Sequence, residues 1–268
     1  MSKRLAFLVA AMSAAVMSGC MAPTDETSAA DDSEIIGGVN DTGDNAVFAL
    51  FASQPGARNG SLCTATLIAP KVLLHAAHCV DPREIGNGNV FVAIQGSSLG
   101  DRNQKRFQIV KTAFDTKFNP NRLQDGHDVG VSFLAAAPPN TTPIAFNKVP
   151  MSQALVNQPV RLVGFGVNVQ GNNPSGAGVK RQVTTVLDSI DPARNGQLLQ
   201  IGKFDKQTCN GDSGGPAFMK LDPKSNVETI VGVTSFGAAG CVGNGGFDTR
   251  VDTQLAFINA ALAAPEAK

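Results

Sequence analysis

Any covalent chemistry in this chain has to be assembled from few parts. There are three histidines, His75, His78 and His127, and all precede Ser213, which sits in the glycine-rich string Gly211-Asp212-Ser213-Gly214-Gly215. A serine hydroxyl is a weak nucleophile that needs a base, usually an imidazole, and a third group that orients the base. The flanking glycines allow a sharp turn and close approach of another molecule. The string G-x-S-x-G also describes the nucleophile elbow of α/β-hydrolases, whose partners follow the serine in the order acid, then histidine. With every histidine upstream of Ser213, that order is excluded. An order Asp, His, Ser would draw on Asp41 or Asp44, which lie in a turn-like segment with a weak claim to a role. The remaining order is His, Asp, Ser.

The elements that must position these groups read as short strands. His78 follows the apolar run Val72–Ala76, and Asp128 heads the run Val129–Ala135. Further strands are expected at Val47–Ala52, Leu62–Ala69, Val90–Gln95 and Phe107–Phe114. After a loop rich in Pro, Asn and Thr come Pro159–Val167, Lys180–Leu187, Leu198–Lys203, Pro216–Lys220, Thr229–Ser235 and Phe247–Val251. Gly, Pro, Asn and Asp clusters separate these runs, as strand-rich folds require. From Val251 to Ala263 the apolar residues fall at 251, 255, 258 and 262, one face of a helix. Two groups of six strands and a terminal helix predict an all-β fold of two packed six-stranded antiparallel barrels.

Composition agrees with an ordinary globular core. The 268 residues are 43% hydrophobic, and with no Trp or Tyr the 15 phenylalanines must supply all aromatic packing. Formal net charge is zero, which argues against nucleic acid as a partner. Lys3-Arg4 followed by Leu5–Met17 has the layout of a secretory signal. It ends in Met17-Ser18-Gly19-Cys20, which resembles a bacterial lipobox, with Met17 where Leu or Val is usual. Cys20 is therefore the candidate lipidation site, and an ordinary cleaved signal is the simpler alternative. Either way the chain is expected to be exported, where disulfides persist. Setting Cys20 aside leaves Cys63, Cys79, Cys209 and Cys241, an even set with three connectivities. The sequence-local pairing, 63 with 79 and 209 with 241, is the favoured one. Residues 21–34, rich in Pro, Thr, Ser, Ala and acid, read as a spacer or pro-segment.

Six strings occur in one order: Ile35-Ile36-Gly37-Gly38, Ala76-Ala77-His78-Cys79, His127-Asp128-Val129-Gly130-Val131, Gly164-Phe165-Gly166, Gly211 to Pro216, and Ser235-Phe236-Gly237. Together they resemble the landmarks of the chymotrypsin/trypsin-like serine proteases over residues 35 to about 263. The resemblance implies a domain division into a signal at 1–20, the spacer at 21–34 and a protease domain at 35–268. It implies Ser213 as nucleophile, His78 as general base and acid, and Asp128 as the group that orients His78, with Gly211 and Ser213 N–H forming the oxyanion hole. Ser235 matches a serine that lies against the aspartate. His75 and His127 neighbour site residues without matching any, and read as structural. Cleavage before Ile35 would free an ammonium group to pair with Asp212. The preceding Glu34 points to an activating protease that tolerates Glu, or to activation by another route.

In trypsin-like enzymes an aspartate at the position of Gln207 selects Lys and Arg, so the resemblance implies a neutral pocket here. Gly237 and Gly246 match small wall residues that leave it open. Asp248 stands where the family commonly has tyrosine and would bring some negative charge to the pocket base. Uncharged side chains are the expected preference. No cofactor is expected and no Cys/His cluster has zinc spacing; a structural calcium is left open, with no ligand set identified. Asn140-Thr141-Thr142 is a glycosylation string, expected to be inert in a bacterial exporter. Expected partners are protein or peptide substrates, an activating protease and, through Cys20, a lipid anchor. The rival from another class is a catalytically silent homologue serving as a secreted binding or adhesion module. An esterase on the same triad is a second rival.

Overall fold

A computed structural model describes residues 35–169, 175–190, 196–222, 224–241, 243 and 245–268. Seven strands precede the middle of the chain: β1 (Val39–Asn40), β2 (Val47–Ser53), β3 (Ser61–Ala69), β4 (Val72–His75), β5 (Val90–Gln95), β6 (Lys105–Phe114) and β7 (Gly130–Leu134). Six follow: β8 (Pro159–Gly164), β9 (Arg181–Ile190), β10 (Leu198–Ile201), β11 (Pro216–Met219), β12 (Thr229–Phe236) and β13 (Gly246–Arg250). The short helix α1 spans Pro82–Ile85 and the C-terminal helix α2 spans Leu255–Ala263.

Strands β2-β3-β4-β7-β6-β5 close into one antiparallel barrel. Strands β8-β9-β10-β13-β12-β11 form the second, closed by pairing of β8 with β9, and β1 adds to the outer edge of β9. All twelve expected strands are present, and the fold is chymotrypsin-like. Phe48, Leu67, Leu74, Val131 and Phe133 fill the first core, which continues into Phe165, Phe218 and Ile230 of the second half and Ile258 of α2. Val160, Leu162, Leu187, Leu199 and Val231 fill a separate second core. Each such side chain contributes on the order of 1.5–3 kcal/mol by leaving water.

Departures from the expected boundaries have local causes. β8 stops at Gly164 instead of Val167 because the next two N–H groups leave the ladder: Phe165 N donates to Thr64 Oγ1 (3.1 Å) and Gly166 N to Asp212 Oδ1 (2.7 Å). α2 begins at Leu255 rather than Val251, because Gln254 N bonds Val251 O in a turn and the Asp252 carboxylate is engaged by Arg250 and Met151 N. α1 was not expected, yet its signal is in the sequence. Asp81 caps it by accepting from Arg83 N at 2.9 Å, and Pro82 starts it.

Candidate active site

The site lies where the turn after β4, the loop before β7 and the loop between β10 and β11 converge. β4 and β7 pair with His75 opposite Gly130, which brings the turn carrying His78 beside Asp128. The disulfide Cys63–Cys79 ties that turn to β3, and Cys209–Cys241 ties the Ser213 loop to the segment after β12. The two loops then pack on each other. Cys79 Sγ lies 3.7 Å from Ser213 O, and Thr64 N donates to Ser213 O at 2.8 Å. Gly214 (φ +81°) is required at this crossing. A Cβ there would stand 2.4 Å from Thr64 O and 2.9 Å from Ala76 N, so no larger residue fits.

Asp128 is fully buried and saturated with donors. Its Oδ1 accepts from His78 N (2.9 Å), and its Oδ2 from His78 Nδ1 (2.7 Å) and Ser235 Oγ (2.5 Å). Burial would push this carboxyl upward, but the His78 charge and the three hydrogen bonds prevail and hold it below the usual range. An ionised carboxylate only accepts, so His78 Nδ1 carries the proton and neutral His78 presents a bare Nε2. For His78, burial works against the imidazolium while the Asp128 charge and hydrogen bond favour it. The net shift is upward.

Asp212, next to Ser213, is buried and accepts from Gly166 N (2.7 Å) and Cys209 N (2.8 Å). A Cβ on Gly166 would approach its carboxyl carbon to 2.5 Å, which explains the glycine at that landmark. Burial pushes Asp212 up to about 7, against those two bonds and the field of Arg181. Arg181 is itself buried and donates to Gly166 O (3.2 Å) and Val179 O (3.1 Å). Ile35 is buried in the second core, and Ile36 O accepts from Gln207 N at 3.3 Å. The chain is continuous through Glu34–Ile35, so the Ile35 nitrogen is an amide and carries no charge.

Beside Ser213 opens a cavity of about 240 Å³ whose wall includes Gln207, Thr234, Ser235, Phe236 and Gly237. Gln207 Nε2 donates to three carbonyls, Phe204 O (3.1 Å), Cys241 O (3.0 Å) and Gly243 O (2.9 Å). Gly246 stands behind Gly237, 3.8 Å from where a Cβ on Gly237 would be. Asp248 is buried beneath the wall, accepting from Thr234 Oγ1 at 3.4 Å, and burial pushes it up to about 7.

The other two histidines make their own bonds. His75 is fully buried between Ala76 O (2.9 Å) and Ser132 Oγ (2.8 Å), and burial pushes it down to about 4. His127 Nδ1 meets Asp115 Oδ2 (3.0 Å) and Gln254 Oε1 (3.3 Å). Cys63, His78 and Cys79 bring donor atoms within 4.8 Å of one another, but the two sulfurs are bonded to each other. Sequence reasoning passed over Thr64 and Arg181, buried polar residues that touch a site residue or a landmark, and Ser132, a buried serine that holds the structural His75. Their only signal was a polar residue inside or heading an apolar strand. Cys20, Glu34 and the spacer lie outside the described residues, of which no helix is long and apolar enough to cross a membrane.

Known proteins are similar to this chain in sequence. Residues 35–258 match the family profile described as Trypsin. Brachyurin of Leptuca pugilator is 30% identical over 191 residues, covering 67% of this chain and 77% of that protein. Chymotrypsin-like elastase family member 1 of Bos taurus is 27% identical over 218 residues, covering 75% and 79%. Phenoloxidase-activating enzyme of Bombyx mori is 28% identical over 219 residues, and there the match spans 67% of this chain but 49% of the relative. These relatives are animal proteins and lend no support to a bacterial source. The matched span begins at the buried Ile35, takes in His78, Asp128 and Ser213, and ends within α2, and on that ground the chain belongs to the trypsin family of serine proteases.

Proposed function

We propose that the chain is a serine endopeptidase acting through an acyl-enzyme, with His78, Asp128 and Ser213 as its triad. The observation that carries this reading is the buried Asp128 carboxylate, bonded to His78 Nδ1 and Ser235 Oγ, with the His78 turn packed against the Ser213 loop. Ser213 Oγ attacks the scissile carbonyl as His78 Nε2 takes its proton, and the imidazolium then protonates the departing amine. Water, deprotonated by His78, cleaves the acyl ester and restores Ser213. The N–H groups of Gly211 and Ser213 stabilise the oxyanion of both steps. This chemistry needs no metal or cofactor.

The primary pocket takes an uncharged P1 side chain. Support comes from Gln207 and Gly237 in the cavity lining, with Gly246 adjoining Gly237 outside that lining, and an Asp248 that burial drives toward its neutral form. Activation follows cleavage at Glu34–Ile35, whose new ammonium pairs with Asp212. The chain is exported on the signal at 1–20, Cys20 being the candidate for a bacterial-type lipid anchor, and that cut releases residues 35–268. Protein substrates suit this reading, and one relative carries the name of an activating enzyme.

Labelling by an active-site phosphonate, N-terminal sequencing and peptides differing only at P1 test it together. Expected are modification of Ser213, a mature N-terminus at Ile35, and faster cleavage after Ala, Leu or Phe than after Lys or Arg. Absence of labelling once Ile35 is exposed would favour the silent binding module. Turnover of esters without peptides would favour the esterase, and preference for Lys or Arg would assign the pocket to Asp248.

A further inference from the structure

We infer that Thr64, on β3, is a positioning residue for the oxyanion hole: its hydroxyl clamps the Gly211 carbonyl and so holds the donor loop in shape. The inference rests on the serine-peptidase reading above. Peptide planes are rigid, so fixing a carbonyl fixes the direction of the N–H in the same plane. Four successive carbonyls in the loop have defined donors. Asn210 O accepts from Val167 N (2.8 Å), Gly211 O from Thr64 Oγ1 (3.0 Å), Asp212 O from Gly215 N (2.8 Å) and Ser213 O from Thr64 N (2.8 Å). The first and third of these planes carry the Gly211 and Ser213 N–H groups. The Gly211 carbonyl lies between them and is the one of the four held by a side chain. Gly211 sits at φ +97°, where glycine alone rotates freely, so nothing intrinsic to that residue keeps the plane in place.

The direction of the Thr64 hydrogen bond is determined. Phe165 N donates to Thr64 Oγ1 at 3.1 Å, so the single hydroxyl proton is left for Gly211 O. Thr64 is fully buried, and its hydroxyl is held between the two partners Phe165 N and Gly211 O. Its neighbour Cys63 is in the disulfide with Cys79, beside His78. One residue of the first barrel thereby holds the donor loop of the second at two carbonyls.

The test uses the full chain processed to Ile35 and the variants Thr64→Val, Thr64→Ala, Thr64→Ser and Thr66→Val. Thr66 is a buried threonine of the same strand whose Oγ1 has no hydrogen-bond partner among the described residues, so its loss controls for a change in the β3 core. Thr64→Val should lower kcat roughly tenfold or more, a fraction of what deleting an oxyanion donor costs, with KM within about twofold. Affinity for a peptide boronic acid, whose tetrahedral adduct places an oxygen in the hole, should fall by the same factor. Thr64→Ser should stay within about threefold of the parent and Thr66→Val should match it. Amide hydrogen exchange at Asp212, whose N–H shares the plane of the Gly211 carbonyl and donates to Cys209 O (3.0 Å), should accelerate in Thr64→Val and not in Thr66→Val. A Thr64→Val protein with unchanged kcat, boronate affinity and Asp212 exchange overturns the inference, as does a Thr64→Ser protein impaired equally. Should Thr64→Val not fold, Thr64→Ala is held to the same outcomes. If the parent neither cleaves peptides nor is labelled at Ser213, the peptidase reading fails, and Asp212 exchange alone decides the clamp.

Discussion

At the residue scale, the site depends on one carboxylate kept ionised where burial opposes ionisation. Asp128 stays charged because three donors converge on it, and its charge in turn lifts His78 above the ordinary histidine range. In the proposed mechanism the working base is the neutral imidazole. Activity should therefore rise with pH through the raised His78 value, and the acidic limb of kcat/KM should lie above the free-histidine value of about 6.5. A pH–rate profile on a neutral-P1 peptide checks this, and an inflection at or below that value would contradict the coupling. His75, three residues away in sequence, sits in the opposite situation. No anion touches its ring, and burial holds it neutral down to about 4. The two histidines share one apolar strand and the turn after it, and only their partners distinguish base from scaffold.

At the element scale, the site is a set of loops held by covalent and steric fastenings. The Cys63–Cys79 disulfide closes a loop with sequence separation 16 and connects β3 to the turn that carries His78. Replacing both cysteines with alanine should cost about 3 kcal/mol by releasing the unfolded chain. For a domain of this size that is a melting temperature lower by roughly 6–12 °C. A thermal melt of the double variant measures it. The loss of kcat at a temperature where the variant is still folded should exceed the loss of secondary structure, because the His78 turn loosens first. The landmark Gly164-Phe165-Gly166 acts by a different means. Its glycines make room for the Asp212 carboxylate, and its N–H groups serve Thr64 and Asp212 instead of a neighbouring strand.

At the scale of the whole molecule, the uncut chain contains an acid that it does not neutralise well. Asp212 titrates near 7 in the folded chain and near its ordinary value when unfolded. Between about pH 4 and 7 the folded state thus holds the extra proton, and stability of the uncut chain must fall as pH rises through that window. Asp248 contributes in the same direction and His75 in the opposite one. The slope should therefore be read as the difference between the uncut parent and Asp212→Asn. The parent should lose denaturation midpoint relative to that variant from pH 4.5 to 7.5, and equal slopes would mean Asp212 is already neutralised in the uncut chain. The twelve main strands were legible because alternation, turn residues and apolar runs act over a few neighbours, and His78, Asp128 and Ser213, the proposed triad, could be singled out because they sit in short strings. The end of β8, the burial of Arg181 and the roles of Thr64 and Ser132 were not. Thr64 reaches Gly211 across 147 positions and Ser235 reaches Asp128 across 107. The sequence by itself determined which chemical groups exist and the local backbone that bears them. Only closure of the two barrels decided which buried donor meets which acceptor, because satisfying a polar group out of water depends on what the rest of the chain brings within about 3 Å of it.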